Sequence, residues 1–241
     1  MSEALKSLAG EAVLSHIRPG MKLGLGTGST AEAFLRVLAP KVAEGLDIVG
    51  VPTSDRTLQI ATKLRIPLTT LDEVKRLDVT IDGADEIDPK LRLIKGGGGA
   101  LLKEKIVASS SDRMIVIADQ SKSVETLGAY RLPIEVIPFG AQATIEKIAA
   151  IAKSLGMDGR YVIRERADAV PVVTDCRHFI VDAHFGHISD PDALASMLDG
   201  LPGVVEHGLF IDLADMALVA SQDGVRTLGR PLSARAVQAT G

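Results

Sequence analysis

The spacing of hydrophobic positions changes several times along the chain, and each change marks an element. Leu5, Leu8, Ala12, Val13 and Ile17 recur at helical spacing and predict an amphipathic first helix. The apolar run MKLGLG then stops at glycine and reads as a strand. Ala31, Phe34, Leu35 and Leu38 predict a helix from Thr30 to Val42, and DIVGV (47–51) reads as a second strand. Ser54 precedes a helix through Leu58 and Ala61. IPLTT, LDVTI, RLIK and RMIVIAD read as further short strands. Strand and helix in alternation predict an α/β fold, a doubly wound, mostly parallel (Rossmann-like) sheet covered on both faces.

Around Leu132 the pattern shifts. IEVIPF reads as a strand, and Thr144 to Leu155 as a helix with Ile145, Ile148, Ala149 and Ala152 on one face. RYVIRE and HFIVDAHF are strands, Asp190 to Leu198 is a helix started by Asp190 and Pro191, and VVEHGLF is a strand. That β-α-β-β-α-β order predicts a small ferredoxin-like α+β lobe. MALVAS and VRTLGR form a closing hairpin with Asp223-Gly224 in its turn, expected to rejoin the first sheet. The lobe is then an insertion: residues 131–206 within a larger unit of residues 1–130 and 207–241.

Polar segments, three of them glycine-bearing, follow strands: TGST after MKLGLG, PTSDRT after DIVGV, DGADEID after LDVTI, KGGGG after RLI, and DQSK after RMIVIA. Ligands of open α/β sheets bind outside the carboxyl ends of the strands. The five segments are therefore expected to converge on one rim.

Composition narrows what that rim can serve. The 241 residues are 46% hydrophobic, enough for a sizeable core, and carry a net charge of −4. That charge, with 3% aromatic residues and no Trp, gives no footing for nucleic acid. Cys176 is the single cysteine, which excludes an intrachain disulfide or a cysteine metal cluster and suits the cytoplasm. The first residues lack the long apolar stretch of a signal peptide, and no apolar run is long enough to span a membrane.

GLGTGST (24–30) is a glycine turn between strand and helix, where backbone N–H groups and the helix dipole attract anions. Ser29 stands where a dinucleotide fingerprint needs its third glycine, and the P-loop lysine is missing. What remains is a short phosphate cradle with two hydroxyls, or a tight turn with Ser29 as helix cap. DGADEID places four acids in seven residues. Thr80 and Pro89 break the EF-hand register, and no histidine lies nearby, so a used or solvated loop is favoured over a metal site. In KGGGGALLKEK, four glycines suit close approach of backbone to a ligand. Lys95 at the strand tip can stabilise an oxyanion. Glu104 falls about one turn into the next helix, where taken by itself it reads as a surface residue. Lys122, in DQSK, can meet a phosphate. His178, His184 and His187 read as non-catalytic, and Cys176 as an ordinary thiol.

GLGTGST, DGADEID, KGGGGALLKEK and DQSK, in this order and spacing, resemble the ribose-5-phosphate isomerase A family. The likeness runs on through IEVIPF, VVTD and PGVVEHGLF. It departs at Cys176-Arg177-His178, where the family tends to have an Asn/Gly-rich turn. The resemblance implies interconversion of ribose 5-phosphate and ribulose 5-phosphate, in the non-oxidative pentose phosphate pathway, without cofactor or metal, in a homodimer or homotetramer. It implies that Thr27, Gly28, Ser29 and Thr30 cradle the substrate, chiefly its phosphate, with Lys122 helping and Lys6 also within reach. Asp82 and Asp85, with Gly83 and Ala84 between them, would bind sugar hydroxyls and assist ring opening. Lys95, with Gly96, Gly97 and Gly98, would face the C1–C2 oxygens, and Glu104 would accept the proton. A non-enzymatic sugar-phosphate sensor is the alternative, though the chain has no spare segment for a DNA-binding module. A CoA transferase or amino-sugar phosphate deaminase fits DGADEID and KGGGG less well.

Overall fold

A computed structural model describes residues 3–229. In chain order the elements are α1 Glu3–Val13, β1 Met21–Leu25, α2 Ser29–Ala43, β2 Ile48–Pro52, α3 Asp55–Lys63, α4 Leu71–Val74, β3 Val79–Asp82, β4 Glu86–Ile87, β5 Leu93–Ile94, α5 Leu101–Ser109 and β6 Met114–Asp119. There follow β7 Leu132–Val136, α6 Ala141–Ser154, β8 Arg160–Ile163, β9 Phe179–His184, α7 Pro191–Asp199, β10 Val204–His207, β11 Leu209–Phe210, β12 Met216–Ser221 and β13 Gly224–Gly229. Residues 1, 2 and 230–241 of the expected large unit lie outside the described residues.

The main sheet runs β13-β12-β6-β3-β1-β2, parallel except for β13. Its central strands are buried on both faces, and their alternation shows why. Ile115 and Ile117 of β6, with Met216, Leu218 and Ala220 of β12, join the core that includes Phe34, Leu35 and Leu38 of α2. Met114, Val116 and Ala118, with Ala217 and Val219, face the opposite core beside Phe210 and Ala108. Side chains of a strand point alternately to its two faces, so a strand covered twice is apolar throughout. The chain steps from β1 to β2 on one side and then to β3 on the other. The crevice beyond β1 and β3 is thus the switch point where such sheets bind ligands.

The second sheet, β10-β7-β9-β8, is antiparallel, with its first strand central as in ferredoxin-like folds. Ile134, Val136, Val181 and Ala183 face α6 and α7 in its core. The alternate positions, Pro133, Glu135, Ile180 and Asp182, face the other way. Added Cβ atoms on Gly96 and Gly99 would lie 3.3 Å from Pro133 and 3.3 Å from Ile180, so that second face meets the glycine loop. Among the described residues, no helix is long and apolar enough to cross a membrane.

Several expectations need correction. IPLTT is not a strand: Leu68 makes one bridge to Gly50, and the Thr70 capping box turns the chain into α4. RLIK does not enter the main sheet. Asp88 accepts from the N–H of Lys90 and Arg92 and closes a tight turn, so β5 pairs antiparallel with β4, inside the segment read as a loop. Short connections permit only antiparallel pairing. IEVIPF leaves its sheet after Val136, near Pro138. VVEHGLF is two strands in two sheets, because Gly208 bonds to both Pro133 and Lys95 through its backbone. Gly224 pairs with Ser221, leaving Gln222 and Asp223 as the hairpin turn. Ser29 is not a helix cap; Gly28 holds that position, without a side-chain hydrogen bond.

Candidate active site

The pocket at the switch point is small, about 140 Å³, and is lined by residues 27–30, 83–85 and 95–98, with Glu104 and Lys122. Gly26 must be glycine for close approach: a Cβ there would lie 2.2 Å from Asp82 Oδ1. Gly28, at φ 109°, turns the chain into α2, and an added Cβ would meet nothing within 4 Å. The turn therefore presents open space beneath the first N–H groups of a long helix, an anion-binding arrangement. Thr27 is held from below. Its Oγ1 lies 2.8 Å from the hydroxyls of Thr53 and Ser54 and 3.1 Å from that of Thr57. The PTSDRT segment thus supports the rim and does not line the pocket.

The acidic segment divides its labour. Asp82 is fully buried and lies below the pocket floor; its Oδ1 accepts from Thr27 N at 3.1 Å and Gly83 N at 2.7 Å. Asp85 lines the pocket and accepts from Gly97 N at 2.8 Å. Glu86 faces away from it, tying Gly128 N and Tyr130 N to β4. Lys95, 2% exposed, donates to Gly83 O at 2.6 Å and lies 3.0 Å from Asp82 Oδ2 and 3.4 Å from Glu104 Oε1. The Phe210 ring is 5.4 Å from its ammonium. Glu104 is 4% exposed, and its Oε2 has no hydrogen-bond partner among the described residues. Lys122 sits at the end of a short turn started by Asp119, over the Tyr130 ring at 5.6 Å. Two expected site residues stand outside the pocket lining: Asp82, which lies beneath it and not against the expected sugar hydroxyls, and Lys6, which pairs with Glu3 at 3.6 Å.

Two carboxylates around one ammonium in a buried site set the local proton balance. Burial, and then the Asp82 charge, push the Glu104 carboxyl up to about 8, against the pull of Lys95. Burial also raises Asp82, although Lys95 and two N–H donors oppose it. Burial alone would lower Lys95, but the two carboxylates more than reverse this and keep it charged. The folded chain holds the Glu104 proton more tightly than the unfolded chain does. Stability is therefore expected to fall as pH rises from the ordinary glutamate value of 4.5 to about 8. Glu104→Gln should flatten that fall when urea midpoints are compared at about pH 5 and about pH 8.5. A variant with the wild-type slope would contradict this assignment.

Sequence reasoning missed Arg164, Tyr130 and Phe210 around the pocket. It also missed Asp199, Glu206 and His207, whose ligand-type atoms lie within 4.8 Å of one another. That second group already receives a cation of the protein: the Lys105 ammonium contacts Glu206 and donates to His207 O at 2.8 Å. A wider depression, about 660 Å³, lies by the β12–β13 hairpin and holds Asp223 and Arg226 but none of the strand-tip acids.

The family model for ribose 5-phosphate isomerase A (phosphoriboisomerase A) matches residues 49–224. The chain is 60% identical to ribose-5-phosphate isomerase A of Sinorhizobium medicae over 224 residues, 93% of this chain and 96% of that protein. A D-ribose-5-phosphate isomerase solved in complex with phospho-erythronic acid superposes with a TM-score of 0.90 at 40% identity, covering 95% of this chain and 100% of its own. The Plasmodium falciparum ribose 5-phosphate isomerase gives 0.90 at 40% identity, covering 96% and 100%.

Proposed function

The chain belongs to the ribose-5-phosphate isomerase A family, and from that premise we propose how its strand-tip pocket performs the family's reaction. The protein is an aldose–ketose isomerase that interconverts D-ribose 5-phosphate and D-ribulose 5-phosphate. Such a reaction removes a proton from the carbon beside a carbonyl and returns it to the neighbouring carbon of an enediolate. Glu104 carries that proton from C2 to C1 as the general base. The observation that supports it is a buried carboxylate that still lines the pocket, with one oxygen free and its affinity for protons raised. A base works best when its pKa lies near the working pH.

Lys95 stabilises the oxygen that gains charge, with N–H groups of the glycine loop beside it. Asp82 acts from below, holding Lys95 and Gly83 in place, while Asp85 reaches the sugar hydroxyls and assists ring opening. The 27–30 turn and Lys122 bind the phosphate, whose binding energy fixes the distant C1–C2 edge over Glu104. Every step is acid–base or electrostatic, so none calls for a metal. A non-catalytic sensor is not favoured, since phosphate binding alone has no use for a buried base beside a buried ammonium.

The test is ribulose 5-phosphate formation from ribose 5-phosphate with EDTA present. Activity is expected to survive chelation undiminished. A folded chain without activity would sink the enzyme reading, and activity lost to EDTA and restored by a divalent ion would overturn metal independence.

A further inference from the structure

The small lobe carries a buried ion pair that the chemistry above leaves unused. Asp182 of β9 is 6% exposed. Arg164, just past β8, grips it at two points, with Nε 2.9 Å from Oδ2 and Nη2 2.5 Å from Oδ1. Arg131 Nε lies 3.0 Å from the same Oδ2. The remaining nitrogen of Arg164 serves the other unit: Nη1 donates to Gly96 O and Gly97 O, each at 3.1 Å. A planar guanidinium locked along one edge presents the other edge in a fixed direction.

Those two carbonyls belong to the catalytic loop, and their peptides are trans. In a trans peptide the C=O and the following N–H point in opposite directions. The 96–97 peptide is held at both ends, by Arg164 on its oxygen and by Asp85 on the Gly97 N–H at 2.8 Å. The 97–98 peptide is held only on its oxygen. Its N–H, on Gly98, points away from Arg164 and has no acceptor among the described residues, while Gly98 lines the pocket. The guanidinium also draws on both carbonyls, which leaves the opposed N–H more positive.

We infer that Arg164 is a positioning residue for the isomerisation, turning the Gly98 N–H into the pocket as a fixed donor to the charged intermediate. Asp182 holds Arg164 to that task. The inference rests on the functional reading above and extends it, because it makes the small lobe part of the catalytic apparatus.

Arg164→Met and Arg164→Lys test it. For Arg164→Met, kcat per folded molecule should fall by about 10- to 100-fold, the range for a lost or misaimed oxyanion donor. Competitive inhibition by inorganic phosphate should stay within about twofold of wild type, because the 27–30 turn is untouched. Arg164→Lys should recover part of the loss, since an ammonium reaches one carbonyl but cannot bridge both and Asp182. A merely structural role would lower the folded fraction, or shift KM and phosphate inhibition together, and leave kcat per folded molecule alone. Should Arg164→Met lack a cooperative unfolding transition, Arg164→Lys decides by the same two readings. An active wild type beside equally fast variants would overturn the role of Arg164 only. A wild type inert on ribose 5-phosphate would overturn the functional reading, and this inference with it.

Discussion

Glu104→Gln is expected to lower kcat by about a thousandfold, within the range for loss of a general base, while KM and inhibition by inorganic phosphate change little. The carboxamide keeps the shape of the side chain and can still meet Lys95, but it cannot take a proton from carbon. Misfolding would not mimic the result. The site already resists ionisation of Glu104, so a neutral replacement should leave the fold at least as stable near pH 8. A variant within a fewfold of wild-type kcat would remove Glu104 from the mechanism.

The second large effect is expected at Lys95, and it should appear in stability as well as rate. Lys95 sits between Asp82, which is fully buried, and Glu104, which is 4% exposed. Lys95→Met leaves two buried carboxyls without their cation. Removing one partner of a buried charge group costs about 3–5 kcal/mol, and urea unfolding near pH 8 should show a loss of that order. Near pH 5 Glu104, whose carboxyl is pushed up to about 8, stays protonated, and the loss should shrink. The rate should fall by about a hundredfold or more, as for other lost oxyanion contacts. A Lys95→Met protein as stable as wild type at both pH values would contradict the central place given to this ammonium.

Much of the fold was legible because β1, β2, β3 and β6 of the main sheet announce themselves twice, by an apolar run and by the polar segment after it. Most of the rim followed from those segments, although PTSDRT only supports it and KGGGG follows a strand of another sheet. The missing parts have physical reasons. β4 is a two-residue strand, too short for any period to register, and β5, read as a strand in RLIK, is too short to show which sheet it joins. VVEHGLF reads as one strand, yet its glycine was a usable signal: a Cβ on Gly208 would lie 2.3 Å from Lys95 O, and a glycine inside a strand often marks such approach. Glu104 looked like a surface residue because it stands between two lysines. Those lysines do face outward or sideways, Lys103 to Asp55 and Lys105 to Glu206, and only the glutamate turns in. Arg164 gave no local sign at all. Its partners are 18 residues away on β9 and 67 and 68 residues away in the glycine loop, so only the docked lobe brings them together.

The central claim is that Glu104 moves the C2 proton, and ribose 5-phosphate deuterated at C2 tests it most directly. Wild type should remove the label from C2, passing it to C1 of ribulose 5-phosphate or to water. Glu104→Gln, still binding phosphate normally, should leave the label in place. Release of the label by Glu104→Gln at the wild-type rate would contradict the account.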